Sequence, residues 1–530
     1  MPFKYHIVFI CAPSWGHCRP SVPISFKIVK ERPDILVTYP VVGKFKERMD
    51  REIERYCTGE NKILRDNIRV VKISEFDGGE LQSWDVVISS LPQFVQKLCV
   101  CEPATCFTGR TYPAVPKPNL VLVDFALSTL GSKLLNDKQV DTRIWCWNPA
   151  SISVIIYIAA PGHLADQARG LAEKTNKSVI RAIIDVNLSS PLLNPSNISY
   201  VILQLAANTP NDKVLNLPGL PPAYVHELRG EHHIPGARER WAGLVTQVTD
   251  LWEYSFIRQS HGLLMANTPI IEEGGINFAK KWLSDKGCYA LGPSMFPVDV
   301  EFQKEESSRG QEAVTFLNKV YRTHGRHSLL YISFGTSVFP NCDTPWQLIG
   351  IILDMEIPFI FAMPHDDTYE NTLPPELRNR LESSELALVA KWAPQQTILN
   401  HPVTGIFFTH GGQGGITESL SYGVPMIIWP LQADQPYNAI NLTLNLKVAY
   451  QLLEVRIDHG LKPLYRGYKP KGTKEAIDTE FRQVLTDAFG SDGDTKRKSA
   501  FDISKRLRKT WGERGEAMVE LRRMLQENFS

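Results

Sequence analysis

Along the chain, short runs of β-branched and other apolar residues alternate with segments of helical length. In the first half the runs are Ile7–Ile10, Ile35–Thr38, Ile68–Ile73, Leu120–Asp124 and Thr142–Trp147, each bounded by Pro, Gly or polar residues. That rhythm predicts βαβ units, and βαβ units build a parallel sheet. It resumes at Leu329–Phe334, Phe359–Ala362, Ala387–Ala390, Gly405–Thr409 and Met426–Trp429, without a visible repeat of the sequence itself. The expected fold class is α/β with two Rossmann-like halves.

Length agrees with this division, since 530 residues at 43% hydrophobic and 22% charged exceed what one core serves. Between the halves, Gly292-Pro293-Ser294 leads into a charged stretch, Asp299 to Glu312, that lacks apolar periodicity. A linker is therefore placed at 295–312, between an N-terminal domain at 1–294 and a C-terminal domain at 313–530. The region from Ser189 to Gly243 is rich in Pro, Asn and His, and a long irregular insert of this kind is more often functional than core. The tail reads as basic and helical, with Leu507/Trp511 and Leu521/Leu525 at i,i+4, and its last helix can pack back on the N-terminal domain.

Charge narrows the partners. A formal net charge of +1 gives no whole-protein field to gather nucleic acid or an anionic membrane, so a neutral or small partner is expected. The nine cysteines are an odd number, scattered and without a CxxC pair. They read as reduced core thiols of a cytoplasmic protein. The opening apolar run is too short for a signal peptide, and Ile152 to Ala160 falls well short of the ~20 residues of a membrane helix. No transmembrane anchor is expected, and the oligomeric state is open.

Chemistry concentrates in the second half. Trp392-Ala393-Pro394-Gln395 is followed by Thr409-His410-Gly411-Gly412-Gln413-Gly414-Gly415 and Glu418, then by Asp434-Gln435. A strand ending at Thr409 and turning through glycines into a helix exposes amides at a positive dipole end, which suits a diphosphate. His410 adds a side-chain donor there. Trp392 offers a flat face for a base, Glu418 can accept from a ribose diol, and Asp434 and Gln435 can bond sugar hydroxyls.

Taken together, these residues resemble, nearly position for position, the nucleotide-sugar signature of the family-1 UDP-glycosyltransferases, in the form found in plant secondary-metabolite enzymes. The resemblance implies two Rossmann-like domains facing each other across a cleft, the GT-B type. It implies that Trp392 stacks on uracil, that the Ala393 backbone and Gln395 hold uridine, and that His410 with the Gly412, Gln413, Gly414 and Gly415 backbone holds the diphosphate. Glu418 would take the ribose, and Asp434 and Gln435 the sugar. Ser333, Gly335 and Thr336, in Ser333-Phe334-Gly335-Thr336, look like the family's phosphate-touching loop. The chain departs from the family where the plant form carries Trp-Asn-Ser and this one has Gln413-Gly414-Gly415.

In the first half, Trp15-Gly16-His17-Cys18-Arg19-Pro20 resembles the family's Gly-His-x-x-Pro turn, which makes His17 the expected base. Leu122-Val123-Asp124 resembles the strand end bearing its Asp partner. Asn216-Leu217-Pro218-Gly219-Leu220-Pro221 is similar to another landmark. The implied activity is inverting transfer of a hexose, with UDP-glucose as the implied donor, to a hydroxyl of a small lipophilic acceptor such as a phenolic or other secondary metabolite. The UDP-sugar is a co-substrate and no cofactor is implied. A sterol or lipid glucosyltransferase, or a non-catalytic nucleotide-sugar-binding relative, is the alternative. Asp492-Gly493-Asp494 has the spelling of a metal-holding Asp-x-Asp, but its surroundings read as a turn and helix start, and His232-His233 lacks further ligands at metal spacing. Metal-independent chemistry is expected.

Overall fold

The computed structural model describes residues 3–43, 45–74, 80–105, 109–161, 214–228, 256–294, 310–335, 339–340, 342–363 and 372–530. They form two compact units that interleave along the chain. The first takes its residues from 1–210, 236–294 and 510–530, the second from 211–235 and 295–509. His232-His233, Cys106 and most of the Ser189 to Gly243 insert lie outside the described residues.

The first unit is built on seven parallel strands: β1 Tyr5–Ile10, β2 Ile35–Val42, β3 Ile68–Ser74, β4 Leu120–Asp124, β5 Arg143–Asn148, β6 Gly262–Met265 and β7 Gly287–Ala290. Their order is β7-β6-β5-β4-β1-β2-β3. Every residue of β1, β2 and β4 is buried, as expected of strands covered on both faces. Phe9 stacks on Tyr39 at 5.5 Å and meets Trp147 edge-on at 5.0 Å, tying β1 to its neighbour β2 and, across β4, to β5 through one aromatic cluster.

The second unit repeats the plan with β8 Leu329–Ser333, β9 Phe359–Ala362, β10 Ala387–Ala390, β11 Thr404–Thr409, β12 Met426–Ile428 and β13 Ala449–Gln451, in the order β10-β9-β8-β11-β12-β13. In both sheets the chain reverses its direction of winding beside the first strand, between β1 and β4 and between β8 and β11. Loops diverge at such a switch point and leave a crevice at the carboxyl ends of the strands. Register sharpens the placement, because Ile10 pairs with Val123 and Ser333 with Thr409. The segments that follow β1 and β8 thus leave their sheets level with the ends of β4 and β11.

The strands read from the sequence are present, some longer by one to four residues at an end and two, β8 and β12, shorter by one. Among the described residues of the two large sheets, three strands were not anticipated: β6, β7 and β13. Each is three or four residues long. The helix Gln311–His324 begins inside the stretch assigned to the linker, whose residues 295–309 lie outside the described set. Ile152–Ala159 is an eight-residue helix. Among the described residues no helix is long and apolar enough to cross a membrane. The expected Leu507/Trp511 pair does not sit on one helix, which ends at Lys509; Trp511 instead donates its indole hydrogen to the Pro293 carbonyl at 2.8 Å. Cys101 is exposed, against the expectation of core thiols, whereas Cys11, Cys18, Cys57, Cys146 and Cys288 are buried. Asp492-Gly493-Asp494 opens the helix Ser491–Lys509, and a Cβ on Gly493 would lie 1.9 Å from the Ala488 carbonyl oxygen. Glycine is there for close packing.

A similar close approach lies on the strand that leads to His410. A Cβ on Gly405 would come 2.2 Å from the His327 carbonyl oxygen, a backbone atom that cannot swing aside. Gly405→Ala should therefore lower stability by about 1–3 kcal/mol, the usual cost of overpacking, as read from a urea melt. A midpoint equal to that of the parent protein would show that β11 has slack at this point.

Candidate active site

In the first unit, the chain leaving β1 forms a single helical turn, Trp15–Cys18, that carries His17 beside the end of β4. Asp124, the last residue of β4, is fully buried. A buried carboxylate is tolerated only when its oxygens are satisfied, and here they are. Oδ2 accepts the Ala12 amide hydrogen at 3.1 Å and Oδ1 that of Ala126 at 3.0 Å. His17 Nδ1 lies 2.9 Å from Oδ2 and 3.1 Å from Oδ1. A carboxylate can only accept, so Nδ1 carries the imidazole proton and Nε2 presents a lone pair. The His17 side chain is 25% exposed, which leaves the ring reachable. Phe125 lies along it at 5.8 Å, and the Trp147 indole donates to the His17 carbonyl at 3.4 Å.

In the second unit, β8 and β11 deliver Gly335 and His410 to each other. Gly335 has φ +78°, and a Cβ there would lie 2.9 Å from His410 Cε1; one on Gly412 would lie 2.7 Å from Nε2. Two glycines therefore make the slot for the imidazole. Burial pushes His410 down to about 4, so near neutrality it acts as an uncharged hydrogen-bonding group. Its Nδ1 is 3.3 Å from Thr409 Oγ1. Gly412 caps the helix Gln413–Tyr422 without a side-chain bond, so the amides of Gln413, Gly414 and Gly415 open outward from the positive end of that helix. A Cβ on Gly414 would meet nothing within 4 Å, and one on Gly415 only ordinary contacts.

Glu418, buried on the same helix, accepts from Gln395 Nε2 at 2.6 Å and from Gln396 Nε2 at 2.9 Å. Tyr331 of β8 donates to Gln395 Oε1 at 3.2 Å, which fixes the amide orientation. This bond network ties the Trp392 loop to the glycine-capped helix. Trp392 is 42% exposed, unlike most tryptophans, and Ala393 beside it is half-buried. On the far side, Asp434 caps the short helix Gln435–Ile440. Asn438 Nδ2 reaches both Asp434 Oδ2 at 3.3 Å and the Gly411 carbonyl at 2.9 Å. Gln435 Oε1 accepts the amide hydrogens of Leu431 at 2.7 Å and Gln432 at 2.9 Å. With its oxygen occupied, Gln435 keeps its NH₂ for another acceptor.

His17 and Asp124 are thus brought together in one unit. Trp392, Ala393, Gln395, His410, Gly412, Gln413, Gly414, Gly415, Glu418, Asp434 and Gln435 line one end of the sheet in the other. Ser333 ends β8, and Thr336 lies outside the described residues. The sequence reading passed over Tyr331, Gln396, Asn438 and Trp147. Asn438 was within reach of it, standing four residues after Asp434 at helical spacing; the other three act through contacts between separate elements and carry no local signal.

The sequence matches the family described as UDP-glucoronosyl and UDP-glucosyl transferase over residues 263–456. UDP-glycosyltransferase eriJ of Hericium erinaceus is 25% identical over 533 residues, covering 97% of each chain. Solanidine UDP-glucose glucosyltransferase 1 of Solanum tuberosum is 32% identical over 201 residues, 37% of this chain and 38% of its own. In fold, the chain is similar to Medicago truncatula UGT71G1 complexed with UDP-glucose, at TM-score 0.66 and 14% identity, over 99% of this chain and 98% of that one. The fold, the glycine-capped helix with its flanking polar residues, and these matches agree: residues 263–456 match the UDP-glucuronosyl and UDP-glucosyl transferase family, and along its whole length the chain is similar to a UDP-glycosyltransferase.

Proposed function

We propose that this glycosyltransferase moves glucose from UDP-glucose, with inversion, to a hydroxyl of a small lipophilic acceptor, a phenol or other secondary metabolite, giving a β-glucoside. The observation that carries the proposal is the His17–Asp124 pair, with an Nε2 lone pair on a reachable ring and a buried carboxylate behind it. The Solanum relative's name joins UDP-glucose to solanidine, and the Medicago structure holds UDP-glucose; both support glucose as the donor sugar.

An alcohol attacks an anomeric carbon poorly until its proton has somewhere to go. His17 Nε2 takes that proton as the acceptor oxygen bonds to the anomeric carbon, and Asp124 stabilises the imidazolium that forms. The bond from the anomeric carbon to the diphosphate oxygen breaks with its electron pair on UDP. Amides of the Gln413–Tyr422 helix and neutral His410 stabilise the charge gathering there. Trp392 stacks on uracil, Gln395 and Glu418 hold uridine, and Asp434 and Gln435 read the sugar. With Gly414 and Gly415 where the plant form has side chains, the diphosphate grip rests on backbone. No metal and no cofactor enter this scheme.

Three outcomes follow from it. UDP and UDP-glucose raise the melting temperature while NADH does not, by up to about 2.7 kcal/mol of added stability at a hundredfold excess over Kd, and EDTA leaves turnover intact. An EDTA-induced loss restored by Mg²⁺ or Mn²⁺ would contradict a backbone-held diphosphate.

Sugar choice tests Gln435. A misplaced hydroxyl leaves a buried polar group unpaired at about 1–3 kcal/mol, so UDP-glucose is preferred over UDP-galactose and Gln435→Ala narrows the preference. Equal use of both donors by the parent protein would remove this role.

For the base, His17→Ala should cut turnover ~10²–10⁴-fold while the UDP-dependent rise in melting temperature persists. Near-normal turnover in a normally melting His17→Ala protein would rule the assignment out.

A further inference from the structure

The turn that carries His17 is too short to hold itself. Trp15–Cys18 is four residues, and its Ser14 cap makes no side-chain hydrogen bond; an isolated turn fixes many torsions for few bonds. Asp124 holds the imidazole and Trp147 the His17 carbonyl, both from the sheet side. A second element meets the turn, the helix Phe45–Glu54. Arg48 sets its guanidinium carbon 4.3 Å from the centre of the Trp15 ring, and Glu52 Oε1 accepts from Arg19 Nε at 3.1 Å.

The spacing of these contacts is their point. Arg48 and Glu52 are i,i+4 and share one helix face; Trp15 and Arg19 are also four apart and bracket His17. Each end of the base-bearing segment is therefore gripped by one residue of the same helix. The grip is stiff. Glu52 is buried and also accepts from Arg55 Nη1 at 2.7 Å. Although burial works to raise its carboxyl, the Arg19 and Arg55 guanidiniums hold it below the usual range, so it stays an anion between two cations. The helix itself is seated by Met49 and Ile53 in the core, and Asp50 ties it to Arg65 Nη2 at 2.6 Å.

We infer that Arg48 and Glu52 are positioning residues that clamp the Trp15–Arg19 segment and so fix the direction of the His17 imidazole. This rests on the reading of His17 as the base. A base displaced by about 1 Å can lose ~10²-fold, so the turn's rigidity bears directly on rate. An Arg over an indole face contributes through both charge and planarity, which Lys reproduces only in part.

Arg48 is half-buried, and Arg48→Met keeps its apolar stem while removing the cation, so this variant should fold. Hydrogen exchange comes first, because it does not depend on activity. The amides of His17, Cys18 and Arg19, which donate to Ser14 and Trp15 carbonyls, should exchange ~3-fold faster or more in Arg48→Met, with peptides of the second unit unchanged. Unaltered exchange at these amides overturns the clamp. Turnover of UDP-glucose should then fall about 5- to 50-fold with the donor KM unchanged, Arg48→Lys should recover part of it, and the loss cannot exceed that of His17→Ala. In the His17→Ala background, Arg48→Met should change residual turnover by less than about twofold, since both act through one group. An equal fractional loss in both backgrounds would show a general structural effect and overturn the proposal. If the parent protein moves no sugar, the functional reading fails separately, and the exchange comparison still decides the clamp.

Discussion

A single buried carboxylate organises the first unit. Asp124 ends a central strand, is closed off from water, and gathers the Ala12 amide, the Ala126 amide and His17 Nδ1 on its two oxygens. Those three groups come from the loop after β1, the turn after β4 and the short Trp15–Cys18 turn. The charge costs several kcal/mol to bury unless it is fully bonded, so the carboxylate, the two chain crossings and the imidazole are stable only together. The parallel register of β1 on β4 is what allows it, by bringing Val123 level with Ile10.

The second unit meets the same topological point with a different device. Where the first unit uses a carboxylate to orient a histidine, the second uses absent side chains: Gly335 and Gly412 leave a slot that His410 fills. Burial then keeps that ring neutral, down at about 4. A neutral donor beside an open helix N-terminus can bind a diphosphate without competing for its protons. Glu418 is held in turn by Gln395 and Gln396, so the residues proposed for uridine are preorganised by one another. Preorganised dipoles stabilise developing charge without having to turn toward it during the reaction.

How much of this was legible follows from where the information sits. The central strands announce themselves because burial on both faces demands Val, Ile and Leu in continuous runs. β6 and β7 escaped because each starts at a glycine required by packing, not by turning: a Cβ on Gly262 would lie 2.7 Å from the Trp145 ring, and one on Gly287 2.8 Å from Tyr289. The candidate site was readable in the second half, since its residues fall in one stretch of chain and close on their neighbours. His17 and Asp124 lie more than a hundred residues apart, and only the resemblance joined them before the sheet did. The support around them stayed invisible for the same reason: Arg48, Glu52 and Trp147 act across elements, where spacing along the chain says nothing.

The central claim is that Asp124 fixes the proton of His17 on Nδ1, so that the lone pair on Nε2 can receive another. Nitrogen-15 NMR of histidine-labelled protein at pH 8, with the His17 signal identified by its loss in His17→Ala, reads the tautomer directly. The account predicts a protonated Nδ1 and a bare Nε2, the reverse of the tautomer that free histidine favours. A His17 ring protonated on Nε2 would contradict it.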